Sequence, residues 1–93
     1  MDLKETYTFD YIKKGFINVV TPNPKEEIKK HLELLLYGSY IEEKSSDDTS
    51  ITLSVESAPW LEKHVRYNAI LTFSFEKTNN EQYKIINIQE QTI

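Results

Sequence analysis

The chain has 93 residues, of which 39% are apolar and 28% charged, with a formal net charge of −4 and no cysteine. That length supports one core and one domain, residues 1–93, because two cores would each fall near the size that needs disulfides or metals. Disulfides, Cys-based zinc sites and a thiol nucleophile are excluded, and the acidic balance argues against a phosphate backbone as ligand, so no nucleic-acid partner is expected.

The N-terminus, Met1-Asp2-Leu3-Lys4-Glu5-Thr6-Tyr7, carries acids where a signal peptide needs a basic stretch and an apolar run. The longest apolar run, 34–37, is far short of the roughly 20 residues that span a bilayer. A cytoplasmic protein without membrane contact is therefore expected.

Over 7–20, Phe9, Ile12, Phe16, Val19 and Val20 follow the spacing of one helical face, while Tyr7, Phe9 and Tyr11 also alternate as in a strand. Helix is the favoured reading, although Gly15 costs about 1 kcal/mol inside one. Thr21-Pro22-Asn23-Pro24 ends the stretch. A second helix is expected over 24–37. Asn23 suits its N-cap, Pro24 its first position, and Glu26 and Glu27 the positive end of its dipole. Ile28, Leu32, Leu35 and Leu36 fall on one face, and Gly38 is placed for a left-handed cap.

After Gly38 the period changes to two. A short edge strand over 39–43 is followed by alternating strands over 50–56, 65–75 and 83–88. Asn79 and Asn80 supply the positive φ of a hairpin turn that pairs the last two strands antiparallel. One sheet face is expected to pack the helices, and the other to carry Arg66, Asn68, Thr72 and Ser74. The fold class expected is α+β, with two N-terminal helices packed on a C-terminal antiparallel sheet of three to four strands.

Few residues offer chemistry. His31 reads as a boundary residue of the second helix. His64 has Glu62 two positions away, but that spacing proves no mutual hydrogen bond. Two histidines in unrelated elements do not make a metal site. With two glycines no phosphate loop can form, and no serine hydrolase signature occurs. No catalytic, cofactor-binding or metal residue is assigned, and the chain is read as not an enzyme. Tyr67, Phe73 and Phe75 match a base-stacking platform only superficially and read as core.

Two sets of residues are candidates for binding a partner. Trp60, after Pro59 in a loop, reads either as a plug for the open end of the core or as an anchor for another protein. Residues 31–60 hold six acids against Lys44 alone, and Glu42, Glu43, Asp47 and Asp48 are the densest group. That group reads either as a solvated loop or as a contact for a basic partner.

The order of helix, Pro-broken turn, helix and closing strands resembles the cystatin-like and NTF2-like superfamilies. There, 9–20 and 24–37 correspond to the paired helices, and Tyr83-Lys84-Ile85-Ile86-Asn87-Ile88 to the final strand. Those superfamilies include small enzymes, immunity proteins and carriers, so the resemblance implies a fold but no single function. The chain is also similar to phage uracil-DNA glycosylase inhibitors. Pro24-Lys25-Glu26-Glu27-Ile28, a strand ending Ser57-Ala58-Pro59, and the closing Tyr-Lys-Ile-Ile strand stand in similar order over about 17–88. It departs from those acidic DNA mimics in its Lys25, Lys29 and Lys30.

The function expected is a non-enzymatic protein-binding module, such as an accessory, immunity or inhibitor protein of a phage or mobile element. Its partner is another protein, and a homodimer is left open. The contrasting readings are an NTF2-like pocket around His64 and Tyr67 that binds or turns over a small molecule, and a DNA mimic that uses the acids of 42–48.

Overall fold

The computed structural model describes residues 3–62, 66–78 and 81–92, with the backbone alone at 3–8 and 92. Among them the elements run α1 (Leu3–Phe16), β1 (Val20–Thr21), α2 (Pro24–Leu35), β2 (Ser39–Ser46), β3 (Ser50–Ser57), β4 (Ala69–Lys77) and β5 (Tyr83–Thr92). The strands form one antiparallel sheet in the order β1-β5-β4-β3-β2. This corrects the expected sheet of three to four C-terminal strands. There are five, the first lies between the helices, and strands hold more of the chain than helices do.

The missed strand explains the misplaced end of the first helix. Ile12 and Phe16 are buried and Phe9 packs against the core, as the helical spacing requires. Asn18 then takes a left-handed φ of 66° and ends the helical path. Its N–H donates to the Ile85 carbonyl at 2.9 Å, and the Ile85 N–H donates to the Val19 carbonyl at 2.9 Å. Val19 and Val20 therefore leave the helix, and β1 pairs Val20 with Lys84 and Thr21 with Tyr83.

The start of α2 follows its sequence signals, with one substitution of partners. Asn23 holds the N-cap position, and its carbonyl accepts the Glu27 N–H at 3.0 Å. Its side chain makes no cap, and its own N–H goes to the Thr21 hydroxyl at 3.2 Å. Pro24, Ile28 and Leu32 are buried. Leu36 packs against the core, but Leu35, expected on the same face, is exposed. The helix stops at Leu35, two residues before the expected end, and Gly38 takes the left-handed φ of 86°.

The four remaining strands form a meander. β2 extends three residues beyond the expected 39–43 and carries a bulge at Lys44. β4 starts at Ala69, because side chains replace ladder bonds just before it. The Ser57 N–H donates to Asn68 Oδ1 at 3.0 Å, and the Tyr67 N–H donates to the Ser57 hydroxyl at 2.7 Å. Val65, Asn79 and Asn80, on which the strand start and the turn were placed, lie outside the described residues. The chain has reversed by Gln82, whose carbonyl accepts the Thr78 N–H at 2.7 Å, and among the described residues of this turn Glu81 has a positive φ of 59°. β5 carries a bulge at Ile86, so that Phe75 faces Ile85 while Ser74 faces Asn87.

One face of the sheet is core: Ile51, Leu53, Val55, Ala69, Leu71, Phe73, Phe75, Ile85 and Ile88 are buried against the helices. Phe16 meets Phe73 edge-to-face at 5.1 Å between centroids, a geometry worth about 0.5–1.5 kcal/mol beyond the area it buries. The other face carries hydroxyls, including the Thr52–Thr72 pair at 3.1 Å.

Candidate docking surface

Trp60 lies in the turn after β3, and three sets of bonds fix that turn. The Ala58 N–H donates to the Gly38 carbonyl at 2.8 Å, and the Leu61 N–H to the Ala58 carbonyl at 3.1 Å. Arg66 then clamps the turn from beneath. Its Nε donates to the Leu61 carbonyl at 2.8 Å and its Nη2 to the Pro59 carbonyl at 2.6 Å. Alternation along the sequence puts Arg66 on the polar sheet face and carries no sign of this role.

The indole rests by one edge on Gly38. A Cβ at residue 38 would lie 3.1 Å from the outermost ring carbon of Trp60 and 3.1 and 3.2 Å from the Leu61 methyls. With the left-handed φ, this close approach admits glycine and little else. The rest of the ring faces solvent, and Trp60 is 68% exposed. It is thus seated on the surface and does not plug the core.

Apolar neighbours share this end of the domain. Tyr37, beside Gly38, is 84% exposed; Tyr40, two residues beyond, is 61% exposed; Leu34, in the last turn of α2, is 73% exposed. Ile41 packs against the core, so Tyr40 points to the other face of the sheet. Leu34 lies on the side of α2 away from the buried Ile28 and Leu32. Tyr37, beside Gly38, is the exposed aromatic next in sequence to the seat of Trp60. Trp and Tyr are the residues that most often dominate the energy of protein–protein contacts. Tyr37 and Tyr40 were not singled out from the sequence, because their exposure depends on where α2 stops and which way β2 turns its first residues.

The four candidate acids are largely engaged within the chain. Glu43 meets Lys29 of α2 at 2.7 Å and accepts the Ser46 hydroxyl at 3.3 Å. The Lys29 ammonium holds the Glu43 carboxyl below its ordinary value. Asp47 Oδ1 accepts the Thr49 N–H at 2.8 Å and the hydroxyls of Thr49 at 3.2 Å and Ser50 at 3.1 Å. The Thr49 N–H, followed by the Ser50 hydroxyl, lowers the Asp47 carboxyl below its usual range. Glu42 lies 3.5 Å from Lys44. Asp48 faces a cleft of about 650 Å³ whose walls include Lys25, Lys77, Glu26, Phe75 and Tyr83. On the edge strand β2, Glu42, Glu43 and the Lys44 bulge also deter pairing with a foreign strand.

Of the two residues of the pocket reading, Tyr67 alone is described. His64 lies outside the described residues. Tyr67 is buried, and its hydroxyl donates to Glu90 Oε2. His31 is half-buried with its ring 5.9 Å from that of Phe16, at the edge of the apolar face as expected. Among the described residues, no group of three or more His, Cys, Asp or Glu could hold a metal ion, and no helix is long and apolar enough to cross a membrane. Compared with known proteins, the chain matches no family model, no curated protein and no solved structure, so nothing in those comparisons bears on the cystatin-like, NTF2-like or glycosylase-inhibitor resemblance.

Proposed function

We propose that this protein is a non-enzymatic binding module that docks on another protein through Trp60 and the neighbouring Tyr37. The observation that carries the reading is the seating of Trp60. Arg66 fixes the carbonyls of Pro59 and Leu61 on either side of Trp60 and Gly38 supports one edge of the ring, while most of the indole is exposed. A solvent-facing Trp on a hydrogen-bonded turn loses little backbone freedom on binding, which favours affinity. Two of the four acids support this choice, since Glu43 is held by Lys29 and Asp47 by Thr49 and Ser50. Such chemistry suits an accessory or inhibitor protein that acts by occupying a partner's surface.

The test uses Trp60→Ala and the fourfold neutralisation Glu42→Gln, Glu43→Gln, Asp47→Asn, Asp48→Asn, against the partner captured by the wild-type chain. Trp60→Ala should weaken binding by about 2 kcal/mol or more while thermal stability falls by less than about 1 kcal/mol. Binding that survives Trp60→Ala and Tyr37→Ala but disappears on neutralisation would move the site to the acidic hairpin.

A further inference from the structure

The two long edges of the sheet are finished differently. β2 presents Glu42, Glu43 and a bulge at Lys44. β5 has a strand neighbour on its outer side only at Tyr83 and Lys84, with further bonds from Ile85 to Asn18 and Val19. From residue 86 to 92 no described backbone group pairs with that outer side.

The direction of the free groups follows from the ladder. Phe75 donates its N–H to the Thr49 carbonyl, and Ile85 bonds to Asn18 and Val19, so at this rung β4 and β5 turn their main-chain groups away from each other. Beyond the bulge, antiparallel alternation turns Asn87, Gln89 and Gln91 towards β4 and leaves the N–H and C=O of Ile88 and Glu90 pointing outward. Asn87, Gln89 and Gln91 expose uncharged amide side chains. Glu90, the one charge between residues 85 and 92, is engaged by the Tyr67 hydroxyl.

We infer that the outer edge of β5 pairs with β5 of a second copy, antiparallel, across a two-fold axis at Gln89. The free stretch is centred on that residue, so the axis uses all of it: Ile86 faces Thr92, Asn87 faces Gln91, Ile88 faces Glu90, and Gln89 faces itself. No like charges oppose one another in this register. That matters for a chain of net charge −4, in which two copies repel one another overall. Pairing Asn87 with Gln91 and Gln89 with Gln89 also allows side-chain amides to bond across the strands. The surface is separate from Leu34, Tyr37, Tyr40 and Trp60, so either assignment can fail alone.

The absence of cysteine makes the register directly testable. Gln89 turns its main-chain groups to β4, so the symmetric pair is non-hydrogen-bonded, with Cα atoms about 4.5 Å apart and within the range a disulfide spans. Under mild oxidation Gln89→Cys should form a symmetric disulfide dimer faster than Glu42→Cys on the opposite edge. Analytical ultracentrifugation of the wild-type chain at roughly 100 μM should show a dimer, as fits a small interface. Gln89→Lys, which sets two ammonium groups face to face, should give a monomer with an unchanged circular dichroism spectrum. A monomeric wild type, a dimer that Gln89→Lys leaves intact, or cross-linking that favours Glu42→Cys would each overturn the assignment.

Discussion

At the β2–β3 hairpin the exposed side chains are tied to the chain: Glu43 to Lys29, Asp47 to Thr49 and Ser50. At the opposite end of the same strands the arrangement is reversed. There the backbone is tied, by Arg66 and the Ala58–Gly38 bond, and the side chains of Trp60, Tyr37 and Tyr40 are left free. The sequence offers the acids and Trp60 alike as candidates for a partner. The structure separates them, because a polar group that has satisfied its bonds internally gains little from a partner, whereas an exposed aromatic gains on being covered.

The sharpest way to break this contrast is at its hinge point. Gly38→Val adds a β-branched side chain at a left-handed φ and within 3.1 Å of Trp60 and Leu61. It should cost about 2–3 kcal/mol of folding stability, read from chemical denaturation, and displace the indole as seen in Trp fluorescence. An unchanged midpoint would mean that the Gly38–Trp60 contact is not what fixes the turn. Arg66→Ala is the next step down. Losing two hydrogen bonds from a charged donor should lower stability by about 1–2 kcal/mol and weaken partner binding with Trp60 intact.

Neutralising Glu42, Glu43, Asp47 and Asp48 together should alter affinity by less than about threefold, because exposed ion pairs contribute under about 1 kcal/mol. A steep loss of the salt dependence of association would contradict that. The smallest effect concerns pH. Asp47 and Glu43 have folded-state values lowered by their donors. Their contribution is therefore complete above the unfolded values near about 4 and is lost as the pH falls through the lowered folded values. Asp47→Asn should make stability less sensitive to acid in that window. Identical acid-unfolding curves for the two chains would show that the Asp47 turn has no energetic consequence.

What could be read from the sequence was local. Pro24, Glu26 and Glu27 mark the start of α2, and the alternation of Ile51, Leu53 and Val55 gives β3 its core face before any partner is known. What could not be read depended on distant partners. Val19 and Val20 continue a helical spacing, and only the main chain of Ile85 draws them into the sheet. Arg66 alternates with its neighbours like a strand residue, yet its position is set by two carbonyls in the turn it clamps. Trp60 was legible as a candidate because a large indole after proline has few burial options. Tyr37 and Tyr40 were not, since their exposure depends on where α2 stops and on which sheet face the first residues of β2 fall.

The placement of β1 has a consequence for the order in which the chain assembles. β2 to β5 each pair with their neighbour in sequence, so this meander zips hairpin by hairpin with short loop closures. The rung from Val20 to Lys84 must instead close about two thirds of the chain as a loop. In pulsed hydrogen exchange during refolding, the amides of Asn18 and Ile85 should gain protection after those of β3 and β4. Until they do, β5 has no cover on its outer side along its entire length. That interval sets how long a newly made chain is exposed to aggregation before the fold closes.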